Sequence, residues 1–146
     1  MRLQTQTDFA LRSLMYLAVC GGKTTSGHIA RQFGISAHHL AKVLNQLTRL
    51  GYVRSTRGLG GGIELVVPPG QISVGKVIVE FEGSLQLLDC VSMDNVCSIQ
   101  PFCKLKKKLA EAQRLQVDYL CSISLADVVP STRQFQQLEV TAEQDT

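Results

Sequence analysis

Apolar residues recur at helical spacing through the first fifty positions of the chain. Between positions 7 and 20 they lie three or four residues apart, which predicts an amphipathic helix ended by two glycines. Shorter patterns predict a second helix over 27–33, capped by Thr25, and a third from Ser36 to about 50. Two short helices joined by a glycine-containing turn are typical of a helix-turn-helix.

An extended pattern follows the third helix. Residues 52–57 and 63–67 predict two strands, the second alternating between apolar and polar positions until Pro68 ends it. The glycine-rich stretch 58–62 lies between them. Three helices followed by such a hairpin predict a winged helix-turn-helix.

The second half of the chain returns to helical spacing. A fourth helix is predicted over 74–82, with Ser73 as its cap and Gly83 as its end. A loop over 88–103 precedes a long helix over 104–122 and a short one over 125–129. The predicted fold class is therefore mainly α, a winged helix-turn-helix with a long C-terminal dimerisation helix.

Charge separates the two parts of the chain. Residues 1–60 carry eight Lys and Arg against Asp8 alone, a net charge of +7, whereas the remainder carries −4. A basic N-terminal half is typical of a protein that binds the phosphate backbone. No apolar run approaches the ~18 residues of a membrane span and no signal peptide opens the chain, so we expect a cytoplasmic protein without a membrane partner.

The third predicted helix carries no acidic residue on its polar face, where an ordinary solvated face usually mixes both signs. This favours contacts with phosphates and base edges of double-stranded DNA. The predicted DNA-binding residues here are Ser36, His38, His39, Lys42, Asn45, Gln46 and Arg49. On the wing they are Arg54, Arg57 and Gly60. A merely flexible hairpin tip is the alternative interpretation of the glycines, and a dinucleotide-binding loop is disfavoured because a strand follows it.

Three cysteines, Cys90, Cys97 and Cys103, lie in the predicted loop, separated by six and five residues. Structural zinc sites usually place cysteines two to four residues apart, so these wider gaps favour an iron–sulfur cluster over zinc or a redox thiol set. Three thiolates leave a cubic cluster one ligand short. Cys20 and Cys121 fall within helical apolar patterns, which predicts core packing.

The chain resembles the winged-helix iron–sulfur repressor family from residue 1 to about 129. The resemblance lies in the stretches TDFALRSLMY (7–16), SAHHLAKVLNQL (36–47), GYV (51–53) and RGLGGG (57–62), together with the three cysteines. Within the family it is most similar to the nitric-oxide-sensing NsrR repressors, through residues 45–47, 97–106 and 125–129. The cluster-responsive IscR repressors use a histidine shortly after the third cysteine, where this chain has Lys106 and Lys107.

The resemblance implies a homodimer. Pairing of the long helix with its twofold mate predicts a palindromic operator. Each subunit would hold a 4Fe–4S cluster (alternatively 2Fe–2S) on its three loop cysteines, with Asp8 of the partner subunit as fourth ligand. Reaction of this cluster with nitric oxide would end repression of nitrosative-stress genes. An iron- or cluster-status-responsive repressor of the RirA or IscR type is the alternative within the family, and a small iron–sulfur electron carrier is the alternative outside it.

The sequence thus predicts three regions. We expect the winged helix-turn-helix over 1–70, the cluster-binding loop and dimerisation helix over 71–130, and a flexible tail over 131–146. No catalytic arrangement of Ser, His and Asp, phosphate loop or carboxylate pair stands out, so we do not expect an enzyme.

Overall fold

The computed structural model describes residues 2–136 and is mainly helical, as predicted. The helices are α1 (Thr5–Cys20), α2 (Ser26–Phe33), α3 (Ala37–Arg49), α4 (Val74–Glu82), α5 (Asp89–Ser92), α6 (Lys104–Ser122) and α7 (Leu125–Val128). The strands are β1 (Val53–Thr56) and β2 (Gly62–Leu65). Short 3₁₀ turns cover Pro69–Gln71 and Gln100–Phe102. No helix within residues 2–136 has the length and apolarity needed to cross a membrane.

Helix α1 is the centre of the molecule. Its apolar positions Ala10, Leu14 and Leu17 are buried as the spacing predicted. Tyr16 and the polar Ser13 are buried as well, so α1 is covered on more than one side. The helix contacts α2, α3, β2, α4 and α7. Burial of apolar side chains against these elements provides the main stabilisation of the fold.

The helix-turn-helix forms because polar residues cap both of its helices. The Thr25 hydroxyl accepts the backbone N–H of His28 at 3.1 Å, and the Ser36 hydroxyl accepts that of His39 at 3.3 Å. Gly34 ends α2 with φ 62°, a left-handed conformation that favours glycine. The predicted caps of α2 and α3 are confirmed.

The wing is a two-stranded antiparallel hairpin, shorter than its predicted strands. The register pairs Val53 with Leu65 and Arg54 with Glu64. Thr24, in the connection between α1 and α2, extends the sheet by two hydrogen bonds with Ile63. The Thr24 N–H donates to the Ile63 carbonyl at 3.0 Å, and the Ile63 N–H donates to the Thr24 carbonyl at 2.7 Å. The base of the wing is therefore fixed to the helix-turn-helix by main-chain hydrogen bonds.

The two halves of the chain share one core. Ile72, Val77 and Leu125 belong to the same apolar cluster as the buried side chains of α1. The segment before α4 pairs with the segment after α6, where Leu125 N–H donates to the Ile72 carbonyl at 2.7 Å. The predicted boundary near residue 70 stays a prediction, and it does not divide two separate cores.

Two features of the second half were not predicted. The cysteine loop contains the short helix α5 and a 3₁₀ turn, each too short to produce a periodic pattern in the sequence. Residues 132–136 are helical, and the Phe135 ring lies 5.1 Å from the Tyr16 ring, edge to face. Phe135 is buried, which differs from the flexible tail expected from 131 onward, while 137–146 lie outside the described residues.

Helix α4 packs closely against the end of α6 at Gly75. A Cβ atom at this position would lie 2.3 Å from the Cys121 backbone nitrogen and 2.7 Å from its Cα. Both atoms belong to the backbone of α6, so no side-chain rotation relieves the contact. The approach of the two helices therefore requires glycine at this position.

We expect Gly75→Ala to lower the free energy of unfolding by about 1–3 kcal/mol, because the added methyl group separates α4 from α6. Gly27→Ala in α2 is the matched control, since its Cβ would meet only ordinary contacts, at 3.7 Å from the Arg31 guanidinium. Helix propensity predicts that the control gains about 0.5–1 kcal/mol. Chemical denaturation at one fixed protein concentration measures both, and equal stability of the two variants would contradict the close packing.

Candidate nucleic-acid interface and cysteine loop

The polar face of α3 is exposed, as its sequence predicted. Leu40, Val43, Leu44 and Leu47 are buried on the opposite side of the helix. The predicted DNA-binding residues that lie exposed on or beside α3 are Ser36, His38, His39, Lys42, Asn45 and Arg49. Gln46 is half-buried and its amide donates to the Glu80 carbonyl at 3.4 Å, which turns it toward α4. The remaining residues form a basic surface without a carboxylate.

The two arginines of the wing differ in their surroundings. Arg54 binds the Glu64 carboxylate across the hairpin, with 2.8 Å between its Nη2 and Oε1. This hydrogen bond lowers the pKa of Glu64. Arg57 and Gly60 are exposed beyond the end of β1, at the tip of the wing. The structure therefore gives Arg54 a partner on the opposite strand, which the sequence did not predict.

Tyr52 joins α3, the wing and α4. Its backbone N–H donates to the Leu47 carbonyl at 3.0 Å, and its own carbonyl accepts the N–H of Val66 at 3.0 Å. Its hydroxyl donates to the Glu80 carboxylate at 2.6 Å. Burial, together with the hydrogen bond to Glu80, raises the pKa of Tyr52. A single residue thus holds the end of α3 against both neighbouring elements.

The cysteine loop places its three thiols on different local structures. Cys90 is half-buried on α5, and Cys97 is exposed in the irregular stretch that follows α5. Cys103 precedes α6, where its sulfur accepts the backbone N–H of Lys106 at 3.3 Å. Within residues 2–136, no three side chains of His, Cys, Asp or Glu lie close enough together to hold one metal ion.

Gln100 organises the loop from inside. It is buried, and its amide nitrogen donates to the Cys90 carbonyl at 3.0 Å and also to that of Met93. Its amide oxygen accepts the N–H of Val96 at 3.0 Å. A cleft of about 600 Å³ opens beside it, lined in part by Cys97 and Lys106. One side chain therefore binds three backbone groups of the loop between the first and third cysteines.

The donor set of the loop fits an iron–sulfur cluster chemically. Cysteine thiolates are the usual ligands of such clusters, and the backbone N–H of Lys106, which donates to Cys103 Sγ, is the kind of donor that stabilises a ligating sulfur. Cys97 is exposed, so its sulfur is accessible to a bound group. Cys20 and Cys121 lie outside this set. Both are exposed, so the prediction that they pack in the core is wrong.

The first turn of α1 holds Asp8, the predicted ligand from the partner subunit. Its carboxylate binds the Arg12 guanidinium at 2.9 Å, and it is 46% exposed, so the pair lies at the surface. Glu82, the last residue of α4, accepts the backbone N–H of Gln4 at 2.7 Å and the hydroxyl of the buried Thr7. The start of α1 is therefore fixed by the helix that leads into the cysteine loop.

Sequence patterns did not identify Glu80, Glu82 or Gln100. Glu80 binds Tyr52, which lies 28 positions earlier, and Glu82 binds Thr7, which lies 75 positions earlier. Nothing in the sequence around either glutamate indicates these partners. Gln100 gives a weak signal as an amide followed by Pro101 inside a cysteine-containing stretch. A buried amide there has to bind backbone groups of the loop.

Comparison with known proteins agrees with this architecture. The family described as "Rrf2: Iron-dependent Transcriptional regulator" matches residues 3–131. The structure of T. potens IscR has 27% sequence identity and a TM-score of 0.69, with 87% of this chain and 85% of that chain covered. The oxidized form of Staphylococcus aureus CymR has 26% identity and a TM-score of 0.69, with 88% and 96% covered.

A third structure, CymR (YrzC), the global cysteine regulator of B. subtilis, has 22% identity and a TM-score of 0.63 over 88% of this chain and 96% of that chain. At this identity the similarity concerns the fold alone. It agrees with the winged helix-turn-helix described above. Because the family match extends over nearly all of the described residues, the chain belongs to the Rrf2 family of iron-dependent transcriptional regulators.

Proposed function

We propose that the protein is a DNA-binding repressor that responds to nitric oxide through an iron–sulfur cluster. In this proposal Cys90, Cys97 and Cys103 of one subunit hold the cluster together with Asp8 of the partner subunit. The observation that carries the proposal is that one Rrf2 chain combines a loop of three cysteines with the basic surface of α3. A cluster held by these residues would supply iron atoms able to bind nitric oxide.

The path from the loop to DNA runs through α4 and α1. Glu82 fixes the first turn of α1, and Glu80 holds Tyr52 at the end of α3. Because α1 also packs directly on α3, a change in the position of its first turn alters the support of the recognition helix. We infer that release of Asp8 removes one constraint on that turn and lowers affinity for DNA.

A homodimer through α6 is part of the proposal. None of the residues of α6 is buried in the single chain. Leu105, Leu115 and Tyr119 are 61%, 54% and 68% exposed. At helical spacing they share one side of α6. Pairing of two such helices would bury this side and place two recognition helices on one face of DNA. Half-sites about 34–36 Å apart, or a multiple of this distance, and a palindromic operator would follow.

A repressor that responds to iron or cluster status is the second candidate. The family description, iron-dependent, and the similarity to IscR favour it. Lys106 and Lys107 stand where the IscR type has its histidine, which favours the nitric oxide response instead. An electron carrier has less support, since it would give the basic surface of α3 no role.

The response to nitric oxide is tested by titrating anaerobically purified holoprotein while measuring its affinity for a duplex that it selects from a randomised pool. We expect affinity to fall by about 5- to 150-fold, the range of typical allosteric coupling. Cys103→Ser should lose both the colour and the response. Cys121→Ser is the control, because this exposed cysteine lies outside the loop. Unchanged affinity after the visible absorption is lost would contradict the mechanism, and colourless protein with bound zinc would contradict the cluster.

The role of Asp8 is tested by comparing Asp8→Ala with Arg12→Gln. Both changes break the same surface pair, which contributes only about 0.3–0.5 kcal/mol, but only the first removes the carboxylate. We expect an altered visible spectrum and a weaker nitric oxide response for Asp8→Ala, with a wild-type spectrum for Arg12→Gln. Identical spectra for wild type and Asp8→Ala would show that Asp8 does not bind the cluster. Iron and sulfide counts distinguish 4Fe–4S from 2Fe–2S in the same samples.

The wing contact is tested by the salt dependence of DNA binding. Arg57 is exposed, and no described carboxylate pairs with it, whereas Arg54 is bound to Glu64. We expect Arg57→Ala to weaken binding and to reduce the slope of log affinity against log salt by about one. Arg133→Ala, on the exposed C-terminal segment, serves as the charge-matched control. An unchanged slope for Arg57→Ala would place the wing tip away from the phosphates.

A further inference from the structure

The tip of the wing is a tight turn that presents one apolar side chain. The N–H of Gly61 donates to the Gly58 carbonyl at 2.9 Å, which closes a four-residue turn around Leu59 and Gly60. Gly60 has φ 74°, the positive value that a type II turn requires at its third residue. Leu59 therefore occupies the second position of the turn, between two glycines that contribute no side chains of their own.

The turn is held in one conformation. A Cβ atom on Gly61 would lie 2.4 Å from the Thr56 carbonyl, so the chain folds back on itself more closely than any larger residue permits. Lys23 Nζ lies 3.5 Å from the Gly60 carbonyl, and the base of the hairpin is bound to Thr24. These contacts restrict the conformation of the hairpin that presents Leu59, so less conformational entropy is lost when the tip binds a partner.

The surroundings of Leu59 are basic. Its side chain is fully exposed, at 110% relative accessibility, and makes no contribution to the core. Arg57 and Lys23 flank the turn, while the one carboxylate of the hairpin, Glu64, is bound by Arg54. An apolar side chain bordered by cations complements a surface that is apolar in its depth and anionic at its edges. The minor groove of DNA offers apolar deoxyribose walls, and apolar base faces where a base step opens, between two rows of phosphates.

We propose that Leu59 enters the minor groove beside each half-site and contacts the base edges there, while Arg57 contacts the adjoining phosphates. This inference rests on the proposed DNA binding and adds a sequence preference to it. The 2-amino group of guanine projects from the floor of the minor groove, and no other base pair carries this group there. Leu59 therefore selects against guanine at the pairs that it contacts.

The test uses full-length wild-type protein and a duplex that it selects from a randomised pool. Each outer base pair is set in turn to G·C or to inosine·C, which have equivalent major grooves and differ in the minor groove only by the 2-amino group. We expect wild type to bind the inosine duplex more tightly at one or two positions per half-site. Leu59→Ala should bind about 5- to 10-fold more weakly and lose this preference, because it removes most of the buried apolar surface.

Salt dependence separates Leu59 from Arg57. Leu59→Ala should keep the wild-type slope of log affinity against log salt, because no charge is removed, and Leu59→Met should bind within about twofold of wild type. Val128→Ala, which truncates another exposed apolar residue on α7, is the control and should bind as wild type does. Unfolding curves that overlay that of wild type establish that the variants are folded.

Two results would overturn the inference. The first is equal binding of wild type and Leu59→Ala to every G·C and inosine·C duplex, which would exclude Leu59 from the groove. The second is a change in oligomeric state for Leu59→Ala in sedimentation experiments, which would identify Leu59 as a contact between protein copies. Failure of wild type to bind any duplex would instead contradict the proposed function itself.

Discussion

The burial of α1 constrains the whole molecule. The helix-turn-helix, the wing, α4 and α7 all pack on this one helix, and its buried residues include Thr7 and Ser13 besides the apolar face. A close-packed core transmits a displacement of one element to its neighbours, because no void is available to absorb it. We therefore expect a displacement of α1 to reach α3, on which it packs.

Two carboxylates on α4 add directional hydrogen bonds to this apolar packing. Glu82 binds the start of α1, and Glu80 binds Tyr52 at the end of the recognition helix. A hydrogen bond that involves a charged group is stronger and more dependent on geometry than an apolar contact. The last turn of the helix that leads into the cysteine loop is thus bound to the start of α1 through Glu82 and to Tyr52, just beyond α3, through Glu80.

Local sequence patterns predicted the features that neighbouring residues determine, such as helix faces and helix caps. The spacing of Leu40, Val43 and Leu47 defined the buried side of α3, and the serine and threonine caps were confirmed at both helix-turn-helix helices. Contacts between distant segments were not predictable in this way. The partner of Arg54 depends on hairpin register, and the meeting of Gly75 with Cys121 depends on how two helices cross. The packing of Phe135, within the predicted tail, depends on its contact with Tyr16 at the other end of the chain.

The contact between Phe135 and Tyr16 has a consequence for the length of chain that makes a complete domain. Tyr16 also meets Phe33 edge to face, at 6.0 Å between ring centroids, so the C-terminal segment closes an aromatic cluster that begins in α1 and α2. A gene truncated after the codon for Pro130 would leave that cluster open to water. Reporter fusions and crystallisation fragments should therefore retain the chain at least through residue 136.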